Sequence, residues 1–165
     1  MTIAYIALGA NLPSPAGPSD ATLVAAVKRM SEMGTVVECS SLYSTAPVGF
    51  AEQPRFLNAV VEIETHLGPR ELLVSLLGIE REFGRERASE IRNGPRTLDL
   101  DILLYGDLMV SESGLEIPHP RLAEREFVLV PLNEIAPDAR DPRSFNFRAS
   151  MMPRDFACSF ALTTN

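Results

Sequence analysis

An α+β fold, an antiparallel sheet with helices packed on it, is what this sequence predicts. Three observations point there. Segments of β pattern and segments of helical period occur in the order β-α-β-β-α-β. The two helical segments are amphipathic, and each is bounded by recognisable start and stop residues. The chain of 165 residues, 45% hydrophobic and 22% charged, is long enough for one well-packed core and short for two.

Each element follows from its local residues. "TIAYIAL" at 2–8 is apolar and β-rich, and Gly9 with Asn11 ends it in a turn. After the loop "SPAGPS", Ser19 or Asp20 is placed to cap a helix that carries Leu23, Val27 and Met30 on one face, with Gly34 as its stop. "TVVECSSLYST" at 35–45 reads as one strand, and "FLNAVVEIET" at 56–65 as the next, across a Pro- and Gly-containing loop. Pro69 opens a second helix at its first position. Leu72, Leu76, Ile79 and Phe83 form its apolar stripe, and Gly84 closes it. A polar, arginine-rich stretch at 85–97 precedes a strand holding Asp99 and Asp101. Further segments follow: "DLMV", a turn at Gly114, "LEIPHPRL" and "FVLVPLNEIAP". This is the split βαβ, ferredoxin-like order, with the helices expected on one face of the sheet. Residues 138–165 show no pattern and receive no assignment, so the whole chain is read as a single domain.

Composition excludes several function classes. A formal net charge of −7 argues against general nucleic-acid binding, which needs a basic face to displace counterions. No apolar run approaches the roughly 20 residues of a membrane span. The N-terminus lacks the basic stretch of a signal peptide, so a cytoplasmic location is expected. Cys39 and Cys158 stand far apart without metal-ligand spacing and read as small, buried or semi-buried thiols.

The chemistry-bearing stretch is "GPRTLDLDILLY" at 94–105. In a strand, residues i and i+2 share a face, so Asp99 and Asp101 point one way while Leu98, Leu100, Ile102 and Leu104 face the core. Two carboxylates about 6.6 Å apart at ~3.3 Å per residue suit a hard cation; a merely solvated face suits them too. Arg81, Arg85, Arg87, Arg92 and Arg96 crowd the preceding stretch. Such arginines beside paired aspartates match a site for metal-bound phosphates; a salt-bridged helix end is the plainer reading, preferred for Arg81. Neither a GxxxxGK[ST] nor a GxGxxG motif occurs. His119, between two prolines, is either a turn residue or a phosphate contact. Asn58 in an apolar strand needs a partner, either local or a flat heterocycle that Phe56 and Phe127 could stack upon.

"YIALGANL", "YSTAPVGFAEQPRFLNAV", "IEREFGRER", "GPRTLDLDILLYGD" and "IPHPRLAEREFVLVPLNEIAP", together spanning about residues 3–137, resemble the 6-hydroxymethyl-7,8-dihydropterin pyrophosphokinases of folate biosynthesis. The resemblance implies a ferredoxin-like α/β fold and transfer of pyrophosphate from ATP to the pterin hydroxymethyl group, leaving AMP. It implies that Asp99 and Asp101 hold two Mg²⁺ ions and that Arg85 and Arg96 act on the phosphates as catalytic residues. Glu80, Arg87, Ile102, His119 and Arg125 match ATP-side residues. Thr45, Ala46, Val48, Gly49, Phe56, Asn58 and Phe127 match the pterin pocket. The sequence departs from the family pattern in its lack of tryptophan, with Arg92 and Asn93 in the corresponding loop, and at Leu77, Gly114, Glu116 and Pro120.

The partners so implied are small molecules, without nucleic acid or membrane. A monomer is expected, with pairing through a sheet edge as the route to a dimer. Two other readings stay open: a two-metal phosphodiesterase or nuclease built on Asp99 and Asp101, and a non-catalytic ferredoxin-like module that binds a small ligand.

Overall fold

The computed structural model describes residues 1–143 and 157–161. The rest of the unassigned tail, 144–156 and 162–165, lies outside the described residues. The elements are β1 (Thr2–Ala10), α1 (Ser19–Met30), β2 (Thr35–Cys39), β3 (Ser41–Thr45), β4 (Phe56–Thr65), α2 (Pro69–Glu82), β5 (Asp99–Tyr105), β6 (Val110–Glu112), β7 (Leu115–Ile117), α3 (Glu126–Ile135) and β8 (Ala157–Ala161). A six-stranded sheet has the order β5-β1-β4-β3-β8, with β2 also on β4, and its paired strands are antiparallel. β6 and β7 form a separate hairpin. The antiparallel α+β architecture read from the sequence is present.

Alternation along β1 sorts the core into two layers. Ala4, Ile6 and Leu8 face Leu23, Val27, Leu72 and Leu76 of α1 and α2. Tyr5 and Ala7 pack with Val128, Leu129 and Leu132 of α3 on the opposite face. The helices therefore cover both faces, not one. The sequence disguises α3 because its apolar run contains Pro131, which normally interrupts a helix.

Local chemistry accounts for the other differences. The N-cap position of α1 is Pro18, with Ser19 and Asp20 already helical and no side-chain cap. The stretch 35–45 is two strands, because the fully buried Ser40 breaks the ladder: its Oγ accepts the Val60 N–H at 2.9 Å. Leu104 joins the α3 layer together with Leu103. A register shift between Tyr5 and Ile6 lets β5 gain one residue there, which exchanges the faces beyond it.

α2 matches expectation closely. Pro69 is its first residue and Gly84, at φ +87°, follows its C-cap Phe83. The Gly84 and Arg85 N–H groups return to the Arg81 and Glu80 carbonyls, a Schellman closure that folds Arg85 back over the last helical turn. Gly34 does not stop α1, which ends at Met30. A Cβ at Gly34 would lie 2.4 Å from the Glu64 carbonyl oxygen. Gly34→Ala should therefore cost about 1–3 kcal/mol, read as a drop of several degrees in thermal melting; an unchanged melt would show that the two backbones separate freely.

Candidate active site

The site lies on the α3 face of the sheet, at the end where β1 stops and β5 begins. Asp99 pairs with Gly9 and Asp101 with Ala7, while Gly9 and Ala7 pair with Asn58 and Val60 on the other side. β1 thus puts a glycine and an alanine between the aspartates and β4, which leaves an open floor. A Cβ on Gly9 would stand 3.1 Å from Asn58 Oδ1.

Above this floor is a cavity of about 460 Å³, walled by Thr45, Ala46, Val48, Phe56, Asn58 and Phe127 among others. Six of the seven predicted pterin residues line it. The exception is Gly49, at φ +88°, whose Cα abuts Asn93: a Cβ there would meet Asn93 Nδ2 at 3.1 Å. The buried Asn58 donates to Thr45 Oγ1 at 2.6 Å. Arg96 lies 5.5 Å from the Phe56 ring centre and Arg125 5.6 Å from that of Phe127, so each aromatic wall carries a cation on its face.

A second cavity of about 480 Å³ lies beside the edge of β5 and is lined by Leu77, Arg87, Ile102, Gly114, Glu116 and His119, among others. Asp101 is the residue that lines both cavities. Of the predicted ATP-side residues, Arg87, Ile102 and His119 are on this second wall, and Arg125 is on the first.

The electrostatics of the two aspartates diverge. Burial pushes the Asp99 carboxyl up, but Arg96 and Arg85 outweigh it and hold the group below its usual range; their bonds to it measure 3.0 and 2.7 Å. Burial and the neighbouring Asp99 push Asp101 up to about 7. Its cationic neighbour, Arg125, and the His119 ring both stand back at 3.9 Å. A half-buried carboxylate short of positive charge, beside a second carboxylate, is a donor set that fits a hard divalent cation. Burial and Arg125 lower His119 to about 4, so its ring is neutral. Nδ1 accepts the Arg121 N–H at 3.1 Å, which leaves the proton on Nε2, the nitrogen nearest Asp101.

Arg85 and Glu80 are placed differently from expectation. Arg85, expected to act on phosphates, lines neither cavity. Its side chain is 4% exposed and bonds Glu80, Glu90 and Asp99 at 2.6 to 3.0 Å. Glu80, expected beside the nucleotide, is 1% exposed and bridges Arg85, Arg87 and the Leu100 N–H. Burial raises its carboxyl despite those donors. Both residues fix the strand that carries the aspartates.

Sequence reading missed the groups that join the two loops. The buried Asn11 donates to Gln53 Oε1 and the Pro54 carbonyl, both at 2.9 Å, and accepts the Arg96 N–H at 2.9 Å. Gln53 also donates to the Asn93 carbonyl at 2.8 Å. The loop bearing Val48 and the loop bearing Arg96 are thereby latched to the end of β1. The available signal was an amide in the turn after a buried strand, which needs partners on every side.

Comparison with known proteins adds an independent line. Residues 5–137 match the family model of 7,8-dihydro-6-hydroxymethylpterin-pyrophosphokinase (HPPK). The chain is 46% identical to the 2-amino-4-hydroxy-6-hydroxymethyldihydropteridine pyrophosphokinase of Pseudomonas aeruginosa, over 84% of this chain and 83% of that protein. It is 49% identical to the Bacillus subtilis protein of the same name, over 81% of this chain and 77% of that one. Among solved structures, wild-type Plasmodium falciparum HPPK-DHPS matches in fold with a TM-score of 0.69 at 16% identity; the match takes in 88% of this chain and 43% of the larger one. With the family model covering most of the chain and close relatives matched over most of their own length, the chain belongs to the 7,8-dihydro-6-hydroxymethylpterin-pyrophosphokinase family.

Proposed function

We propose that this chain transfers the pyrophosphoryl group of ATP to the hydroxymethyl oxygen of 6-hydroxymethyl-7,8-dihydropterin, a step of folate biosynthesis that releases AMP. The observation that carries the proposal is the position of Asp101. It is the wall shared by an aromatic-lined cavity suited to a flat heterocycle and a second cavity lined by Arg87 and His119. Two substrates, one in each cavity, would meet at that carboxylate.

The pterin ring would lie between Phe56 and Phe127, its amide edge read by Asn58, whose NH₂ is already committed to Thr45. ATP would lie along the second cavity, its base toward Ile102 and its phosphates toward Arg87, His119 and Arg125. Asp99 and Asp101 would hold two Mg²⁺ ions. When bound, these would acidify the attacking hydroxyl and neutralise phosphate oxygens. The remaining task is positioning and charge stabilisation, which phosphoryl-type transfer demands more than covalent catalysis. Arg96, on the loop latched by Asn11, would stabilise charge developing on the phosphates. Arg85 would hold Asp99 in place from behind. No helix among the described residues is long and apolar enough to cross a membrane, and we propose a monomer working in the cytoplasm.

The direct test is incubation with ATP, Mg²⁺ and the pterin, followed by mass detection of products. AMP and pterin pyrophosphate in equal amounts are expected. Pterin binding without AMP would favour the non-catalytic ligand-binding reading. Arg96→Ala should lower kcat by about 100-fold while changing the pterin Kd much less; the opposite pattern would make Arg96 a substrate-binding residue only.

A further inference from the structure

Just past the family-matched residues 5–137, the chain makes a contact back to the site. Asp141 is 3% exposed, although it is a carboxylate. It takes the Arg143 guanidinium with both oxygens: Nε at 3.0 and 3.2 Å and Nη2 at 2.6 Å, with the Arg143 N–H at 2.8 Å. Nη2 also donates to the His119 carbonyl at 2.9 Å. A planar guanidinium gripped on one edge has its remaining donors fixed in direction.

His119 is thereby held from every side except one. Its N–H donates to the Leu103 carbonyl at 3.0 Å, and its carbonyl accepts from the Leu122 N–H at 3.1 Å and from Arg143 at 2.9 Å. Its Nδ1 accepts from Arg121. What remains is the Nε2 edge, directed at Asp101 and the second cavity. We infer that Asp141 and Arg143 form a positioning clamp for His119, so that residues outside the matched domain set the affinity of the second cavity for its phosphate-bearing substrate. The inference rests on the assignment of that cavity to ATP. Arg143 touches no substrate in this scheme; it acts through the His119 backbone.

The test separates the clamp from the assignment. Arg143→Ala should raise KM for ATP about fivefold, as expected from losing one indirect charge-assisted bond, with kcat and the pterin Kd within twofold of wild type. Arg143→Lys should recover part of the loss. His119→Ala should raise the same KM, and the double variant should be no worse than His119→Ala alone, because the two act in series. If His119→Ala leaves KM for ATP unchanged, the assignment of the cavity fails. If His119→Ala raises it and Arg143→Ala does not, or if the two effects simply multiply, the clamp is overturned. An equal rise in both substrates' constants with a lowered melting temperature would also overturn it, as a purely structural role. Should Arg143→Ala fail to fold because Asp141 is left buried and unpaired, Asp141→Asn with Arg143→Gln removes both charges together and carries the same expectations.

Discussion

Asp101→Ala should abolish turnover, by at least about 1,000-fold in kcat, with the fold intact. The chemistry loses the carboxylate at which both cavities meet. The fold loses little, because the nearest cation to that carboxylate, Arg125, stands 3.9 Å away and it lies beside a like charge. The pH dependence of stability gives an internal check. With its carboxyl raised to about 7, the folded state keeps a proton that the unfolded chain has released. This contribution to stability is full below the ordinary carboxylate range and is lost as pH rises through 7. Metal-free Asp101→Asn lacks that loss, so its melting temperature should gain on wild type between pH 5 and pH 8. Assays of AMP release and thermal melts at both pH values decide the matter. Near-normal turnover would mean that Asp101 holds no catalytic cation.

Arg85→Ala should be the most destabilising single change near the site, by about 3–5 kcal/mol, or roughly 10 °C in melting temperature. One guanidinium serves Glu80, Glu90 and Asp99, and its removal leaves buried carboxylates facing one another. Arg85→Lys should rescue only part, since an ammonium lacks the planar fork that reaches all three. Activity should fall in step with the displacement of Asp99. A variant that melts like wild type but has lost kcat would show the reverse: an arginine that leaves this cluster to act on phosphates directly.

Much of the fold was legible because its signals are local. Pro69, the stripe Leu72–Leu76–Ile79–Phe83 and Gly84 fix α2 through period and caps alone, and the observed helix runs from Pro69 to Glu82. Where a side chain replaced a backbone partner, the signal failed. Ser40 divides one predicted strand with a hydroxyl that any loop serine also carries. α3 was hidden by Pro131, and its place on the second face depends on contacts with Val60, Leu103 and Leu104 that no window of sequence contains.

The candidate site divides in the same way. Asp99 and Asp101 were legible as a pair because strand geometry alone puts them on one side. Their unequal environments were not, since these come from Arg85, Arg96 and Arg125 brought in from three separate segments. Arg85 and Glu80 sit in a motif that resemblance ties to nucleotide, yet Glu80 lies on the buried side of α2 and the Schellman turn at Gly84 folds Arg85 back onto it. The latch through Asn11, Gln53 and Asn93 joins residues too distant in sequence for spacing to suggest it.

The Glu80–Arg85 pair also bears on solubility. β5 is the terminal strand of the sheet and carries the apolar run "DILLY", the kind of border on which a foreign strand would assemble. Its Leu100 N–H is taken by Glu80, and the carbonyl of Leu98, just ahead of the strand, by Arg85, two side chains standing where a neighbouring strand would bond. The cluster that steadies Asp99 thereby occupies the first bonding positions along that border.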